Sequence, residues 1–573
     1  MEEGIIYRKA YPLSDASCLY PGFCPSTQIL RCGSVCKAGH APLACDILFE
    51  RDVAIPMRDG IILYANIFRP VREAPVPVIL NSTTFGKQKK FVDGNPAAGE
   101  TPGVPAELTS GLETFEGTDP GYFVANGYAV CNLDIRGCYM SGGDNPYFGQ
   151  QEARDDYDVI EWLAAQPWSN GRVTMTGNSW LGIVQWFAGA MQPPHLTCLA
   201  PWEGWSDMYR DEYMVGGIAN YSGFRFDNTY SDTAMMEDTV ANCAAHPLFD
   251  EFWKQKAAEV EKITVPVYVT ASYSSPVHCR GTLAAWRRLK GDKWLRIHNL
   301  QEWGDTARRK ADLLQFLDYF MKDEKDNGFD QIPHVRISVL DPGKGEDIVE
   351  RPEENFPIPR QQLKSLYLDT KKMKLSKQIP ADPSTVTYNS IDGVSRIGFR
   401  YTFTEETEIV GYINAVLYVE CIGFNDMDLY IRMTKIDAEG NPLHHYGIPS
   451  MPEFDEAVYC GPGARQRVSL RKTDPQKSTE NEPYHTFDQI QKLHPGEVVP
   501  VEIGLYPTGL RFHPGEGILL EISGAPFINL PSVPAAMQRV PMRIDSVNNG
   551  LHVIHSGRDY PSRLIIPFIP VEG

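Results

Sequence analysis

The chain has 573 residues, a net charge of −19 and 42% hydrophobic residues. That length exceeds what one hydrophobic core organises and implies two or three units of roughly 100–250 residues each. The acidic excess is spread as solvated surface and excludes a nucleic-acid partner, whose phosphates select Lys/Arg patches. No run of about 18 apolar residues is present to cross a membrane.

The N-terminus, Met1-Glu2-Glu3-Gly4, lacks the basic and apolar stretches of a signal peptide, so a cytoplasmic protein is expected. Cys18, Cys24, Cys32, Cys36 and Cys45 fall early, without a C-x-x-C pair or zinc-module spacing. Free thiols are the expectation, with no metal and no cofactor.

Residues 1–50 are turn-rich and read as an arm wrapped around the core. Strands are predicted at Val53–Pro56 and Ile61–Phe68, joined by a hairpin at Asp59-Gly60, where glycine accepts the positive φ such turns require. Val76–Leu80 and Gly127–Asp134 read as buried strands. Residues 152–166 repeat apolar positions at helical spacing, with Val159, Trp162 and Leu163 on one face. Val173–Gly177 is a strand that breaks into a helix at Ser179. Strands alternating with helices imply an α/β fold, a mostly parallel sheet covered on both faces.

Residues 203–260, rich in Tyr, Asp and Met, interrupt the rhythm and read as a helical cap inserted between two core segments, 51–202 and 261–328. The strand–helix pattern resumes at Val265–Thr270, Trp294–His298 and a helix near 308–322. From 335 to 573, alternating strands and Gly/Pro turns imply an all-β unit of jelly-roll size.

The motif that carries chemistry is Gly177-Asn178-Ser179-Trp180-Leu181-Gly182. Between strand and helix it forms a nucleophile elbow, a turn so tight that flanking residues must be small and the serine is thrust out at the strand end. The helix N-terminus favours developing negative charge, and the Trp180 N–H is placed to donate to an oxyanion.

Together with Met57-Arg58-Asp59-Gly60, Asp134-Ile135-Arg136-Gly137, Gln166-Pro167-Trp168-Ser169-Asn170-Gly171, Tyr506-Pro507-Thr508-Gly509 and Phe512-His513-Pro514-Gly515-Glu516, this elbow resembles the CocE/NonD-type hydrolases, the group of cocaine esterase and X-prolyl dipeptidyl-peptidase, over roughly residues 50–570. The resemblance implies an α/β-hydrolase core, an inserted helical cap and a C-terminal jelly roll, with the active site where the three meet.

The sequence departs from that family at three positions. Where the family places its triad acid, the segment reads Ala271-Ser272-Tyr273-Ser274, so Ser274 replaces the Asp. Where the family places its histidine stands Glu302. Where it places an oxyanion tyrosine stands Phe85, which has no donor, leaving Thr83, Thr84 or Lys87 to compensate. One resolution exchanges the roles, with His278 on the first loop as base and Glu302 on the second as its carboxylate. Another uses His298 as base with Glu302 or Asp305 behind it. In a third, both histidines are structural. Asp305 otherwise reads as a solvated loop residue. Trp180, Trp205 and Tyr213 are expected, with Phe85, to line an aromatic pocket for a bulky small molecule, while Trp186 and Trp202 read as core.

Three functions remain open from sequence. The first is acyl transfer through Ser179 on an ester or amide. The second is proton transfer by a histidine and Glu302, as in an isomerase, lyase or cyclase of specialised metabolism. The third is a non-catalytic small-molecule-binding protein. A small-molecule partner is expected in each, and the assembly is open between a monomer and a homodimer.

Overall fold

The Asp59-Gly60 turn sets the first register of the fold. Ile47–Pro56 and Ile62–Pro70 pair antiparallel around it, with Gly60 at φ 85° and the Met57 N–H bonded to the Ile61 carbonyl at 2.8 Å. The computed structural model describes residues 4–15, 18, 20–88, 101–219, 229–343, 345–452, 457–527 and 546–570.

In chain order the first half comprises β1 (Tyr7–Lys9), β2 (Ser26–Leu30), β3 (Ile47–Pro56), β4 (Ile62–Pro70), β5 (Val76–Thr83), α1 (Pro120–Ala125), β6 (Ala129–Asp134), α2 (Gln150–Ala164), β7 (Ser169–Asn178), α3 (Trp180–Ala190) and β8 (Leu196–Trp202). The cap adds β9 (Met235–Glu237), α4 (Thr239–Ala245) and α5 (Glu251–Gln255). Then follow β10 (Val267–Ser272), α6 (Cys279–Arg288), β11 (Lys293–His298), α7 (Glu302–Arg308), α8 (Lys310–Met321), β12 (Val335–Val339) and β13 (Ile348–Glu353).

Eleven of these strands form one sheet in the order β13-β12-β11-β10-β8-β7-β5-β6-β4-β3-β2. The centre, from β6 through β12, is parallel, and its strands are buried almost throughout because helices cover both faces. The sheet therefore presents the C-terminal ends of β5, β7, β8, β10 and β11 along one edge, where ligands bind in such folds.

Three expectations change. The N-terminal arm is not only irregular: β2 is the edge strand of the main sheet and β1 pairs with β9 of the cap. The cap is not purely helical, since its described residues include β9 and a π-helical turn, Met208–Tyr213. The β unit does not begin its own sheet at 335. β12 is buried on both faces and lies parallel to β11 after the α8 crossover, which places it in the hydrolase sheet. The second, largely antiparallel sheet starts at Gln362–Asp369 and is built around the long pair Thr407–Ile422 and Val499–Phe512. The alternation of Val335–Leu340 does not distinguish the two, because a short buried strand has no diagnostic period. No described helix is long and apolar enough to cross a membrane.

Candidate active site

Ser179 has φ 53° and ψ −117°, the strained geometry of an elbow, between β7 and α3. The elbow is held from outside: the Ser179 N–H bonds to the Trp202 carbonyl at 3.0 Å and the Asn178 N–H to the Glu116 carbonyl at 2.9 Å. Glycines make the turn close. A Cβ on Gly182 would lie 2.8 Å from the Trp202 carbonyl oxygen, and one on Gly177, at φ 123°, would lie 2.5 Å from Leu181 Cβ.

The two loops that carry the candidate base and acid follow β10 and β11. His278 sits at the N-cap of α6, buried, with Nδ1 3.4 Å from Glu302 Oε2 and 3.2 Å from Ser275 Oγ. Glu302 begins α7. The structure thus brings His278 and Glu302 together across the loops. Their charges reinforce one another: the Glu302 carboxylate raises the His278 value against the opposing effect of burial. The imidazolium in turn holds Glu302 below the usual range, again against burial, with help from Glu203 and the Asn178 side chain. Asn178 precedes the nucleophile, so the pair lies against the elbow. Ser274 lies on the same loop, and its hydroxyl donates to Ser272 Oγ at 3.3 Å.

His298 is placed differently. It ends β11 in register with Ser272, buried, with Nε2 2.5 Å from Glu203 Oε1 and 3.9 Å from Asp305. Burial pushes its value down to about 4, so the ring is neutral across the physiological range. Asp305 is not solvated: it is 1% exposed and grips the Arg296 guanidinium with both carboxylate oxygens, so it is committed to a buried ion pair.

Two carboxyl groups escaped the sequence reading. Glu203, directly after β8 and fully buried, accepts from Ser272 Oγ at 3.0 Å. Its value is driven well up by burial and by neighbouring Glu302, to which it is hydrogen-bonded. Glu116, at φ 66°, accepts at Oε1 from Trp303 Nε1 at 3.0 Å and Asn178 Nδ2 at 3.3 Å. The Ser179 hydroxyl is within its hydrogen-bonding reach, and burial together with Glu302 pushes its carboxyl well up. Among the described residues no hydrogen bond joins either imidazole to Ser179. Neither glutamate stands in a recognisable motif, so only the unusual backbone at both positions would have signalled them. Glu203, His278 and Glu302 offer ligand atoms within 4.8 Å of one another, a spacing that could hold a metal ion.

The aromatic wall is continuous. Phe148 packs against Trp180 with centroids 3.9 Å apart and ring planes tilted by 32°, and meets Trp205 edge-on at 4.8 Å. Trp180 faces Phe85 at 6.4 Å, Phe85 meets Phe115 at 5.0 Å and Phe115 meets Trp303 at 5.6 Å. Trp180 is fixed by its indole N–H to Glu152, 3.0 Å away. Tyr213 lies buried in the π-helical turn and belongs to the large core, as do Trp186 and the wall residues Phe148, Trp180 and Trp205; Trp202 belongs to a second core cluster. On the loop after β5 the proposed substitutes for a tyrosine donor are engaged elsewhere. The buried Lys87 ammonium pairs with Asp134 and with Asp52 at 3.1 Å. Thr83 Oγ1 accepts the Phe85 N–H at 3.0 Å, and Thr84 Oγ1 meets Cys138 Sγ at 3.6 Å.

The remaining motifs build the scaffold. Arg136 pairs with Asp155 through two bonds of 2.7 Å and with Asp59 at 2.8 Å. The late Tyr506-Pro507-Thr508-Gly509 segment packs under the His278 loop: a Cβ on Gly509 would lie 2.5 Å from the Tyr273 ring, and Cys279 Sγ donates to the Pro507 carbonyl at 3.5 Å.

Residues 59–239 match the X-Pro dipeptidyl-peptidase (S15 family) and residues 327–565 the X-Pro dipeptidyl-peptidase C-terminal non-catalytic domain. A crystal structure of a CocE/NonD family hydrolase from Staphylococcus aureus superposes with a TM-score of 0.83 at 34% identity, covering 92% of this chain and 94% of that one. The chain belongs to the CocE/NonD hydrolase family. Cocaine esterase from Rhodococcus sp. (strain MB1 Bresler) is 23% identical over 90% of this chain and 98% of its own length. An α-amino acid ester hydrolase shares the fold, with a TM-score of 0.67 at 18% identity over 90% of this chain and 96% of that one. This CocE/NonD chain is accordingly an enzyme of the esterase/peptidase-type serine hydrolases.

Proposed function

We propose that this enzyme cleaves an ester or amide of a bulky apolar or aromatic small molecule through a Ser179 acyl-enzyme, with His278 as base and Glu302 as the acid that orients it. The observation that carries this reading is the buried His278–Glu302 pair set against Asn178 of the elbow. In the first step the Ser179 hydroxyl passes its proton to neutral His278 as Oγ attacks the carbonyl. The imidazolium so formed is stabilised by Glu302 and protonates the leaving group. Water, activated by the same imidazole, then releases the acid. The wall from Phe148 to Trp303 accepts an aromatic or aliphatic acyl or leaving group. Incubation with a fluorophosphonate followed by mass spectrometry tests the reading: one adduct on Ser179 is expected, lost in Ser179→Ala.

A second reading draws on the engagement of Ser179 by Glu116 rather than by an imidazole. Here His278 and Glu302 perform proton transfer on a bound substrate with no covalent intermediate. Turnover that survives Ser179→Ala but not His278→Ala would select it.

A further inference from the structure

We propose that the Glu116 carboxyl group is the second oxyanion donor of this enzyme, acting beside the Trp180 N–H. The inference rests on the acyl-enzyme reading above. Acyl transfer needs preorganised donors where negative charge develops, and one backbone N–H is half of the usual pair. On the segment at the end of β5, Phe85 has no polar side-chain group, Lys87 is held in an ion pair, and the buried Thr83 and Thr84 hydroxyls face the Phe85 N–H and Cys138 Sγ.

Glu116 is built to fill that gap. Oε1 accepts two N–H bonds, from Trp303 and Asn178, as a carboxylic acid's carbonyl oxygen does. Oε2 is buried and has no partner. An ionised carboxylate with one bare oxygen, facing ionised Glu302, would be doubly disfavoured; a neutral acid with Oε2 as hydroxyl is not. The free donor therefore resides on Oε2. Oε1 holds Asn178, the residue before the nucleophile, and the Ser179 hydroxyl is within hydrogen-bonding reach of this carboxyl; after attack the oxyanion is one carbon removed from Oγ, and the Oε2 hydroxyl is the donor assigned to it. The proton is shared and returned when the tetrahedral species collapses, and no net transfer occurs. A carboxylic acid kept neutral in an apolar site is an established way to donate to an oxyanion. The charged groups facing Glu116 are Glu302 directly, with His278 and Glu203 behind it.

The test uses the full-length enzyme with p-nitrophenyl acetate, and a fluorophosphonate for the rate of Ser179 labelling. Glu116→Leu is expected to lower kcat and the labelling rate about 100-fold with KM little changed. Glu116→Gln, whose carbonyl oxygen keeps the Trp303 and Asn178 bonds while its NH₂ faces the site, should stay within about tenfold of wild type. Wild-type activity should fall as pH rises through the elevated Glu116 value, and Glu116→Gln should lose that alkaline decline. Phe85→Tyr added to Glu116→Leu should recover part of the loss by placing a phenol on the same wall. Glu116→Leu labelling at the wild-type rate, or an alkaline decline unchanged in Glu116→Gln, overturns the inference; the second criterion decides if Glu116→Leu does not fold. A wild-type enzyme that takes no phosphonate overturns the acyl-enzyme reading first, and this inference with it.

Discussion

The nucleophile elbow and the two loops that face it are built by opposite means. Ser179 is shaped by its own segment: Gly177 and Gly182 permit the turn, and the Ser179 and Asn178 N–H groups donate to the Trp202 and Glu116 carbonyls. His278 and Glu302 are 24 residues apart, meet only through tertiary packing, and are supported by Glu203 and Ser275. A locally determined group tolerates little variation in its own sequence. A group assembled from two loops can trade residues between them, provided that the imidazole and carboxylate still meet. The exchange proposed for base and acid is a trade of this kind.

Four experiments break or sharpen this contrast. Ser179→Ala should abolish hydrolysis by on the order of 10⁶-fold, because a serine acting in concert with its base is not replaceable by water. His278→Ala should cost nearly as much and His298→Ala less than about tenfold, measured as kcat/KM on one ester; the reverse order would assign the base to β11 and end the exchange. Glu302→Gln should lower kcat by about 10⁴-fold and move the acid limb of the pH profile. His278 must be neutral to act, and Glu302 holds its value above the ordinary imidazole range. Activity in the wild type should therefore rise only at pH above that range, and the limb should shift to lower pH in Glu302→Gln. The same linkage acts on stability. The raised His278 value contributes stability that is complete below about pH 6.5 and is lost as pH rises through the folded-state value. The lowered Glu302 value contributes stability that is lost as pH falls through it. Finally, Gly182→Ala should destabilise the fold by about 1–3 kcal/mol in urea melts, since its Cβ meets backbone that cannot yield.

What could be read from sequence follows the same division. The elbow, the Asp59-Gly60 hairpin and the strand–helix alternation are encoded within windows of a few residues, and the folded chain keeps them. The proximity of His278 and Glu302 was one of two pairings that loop position allowed; nothing local decides between them and His298. Asp305 was read as solvated because its partner Arg296 lies on the preceding strand, where a charged residue in a buried β11 gives no sign of which acid it meets. Glu116 and Glu203 were silent because their surroundings come from distant segments: Trp303 and Asn178 for the first, Ser272 and His298 for the second. The sheet that Val335–Val339 joins is hidden for a related reason, since a five-residue buried strand does not reveal its partner.

The contact between Gly509 and Tyr273 has a consequence for how this enzyme can change over generations. The β unit forms part of the support beneath the His278 loop, and it joins the hydrolase sheet through the Leu340–Leu510 bridge, in which the Leu340 N–H donates to the Gly509 carbonyl at 2.9 Å and the Arg511 N–H to the Leu340 carbonyl at 3.0 Å. Substitutions near residues 505–511 can therefore shift the His278 side chain by fractions of an ångström while every residue around the elbow stays the same. Selection on turnover can thus act through a segment more than 300 residues downstream of the nucleophile in the chain.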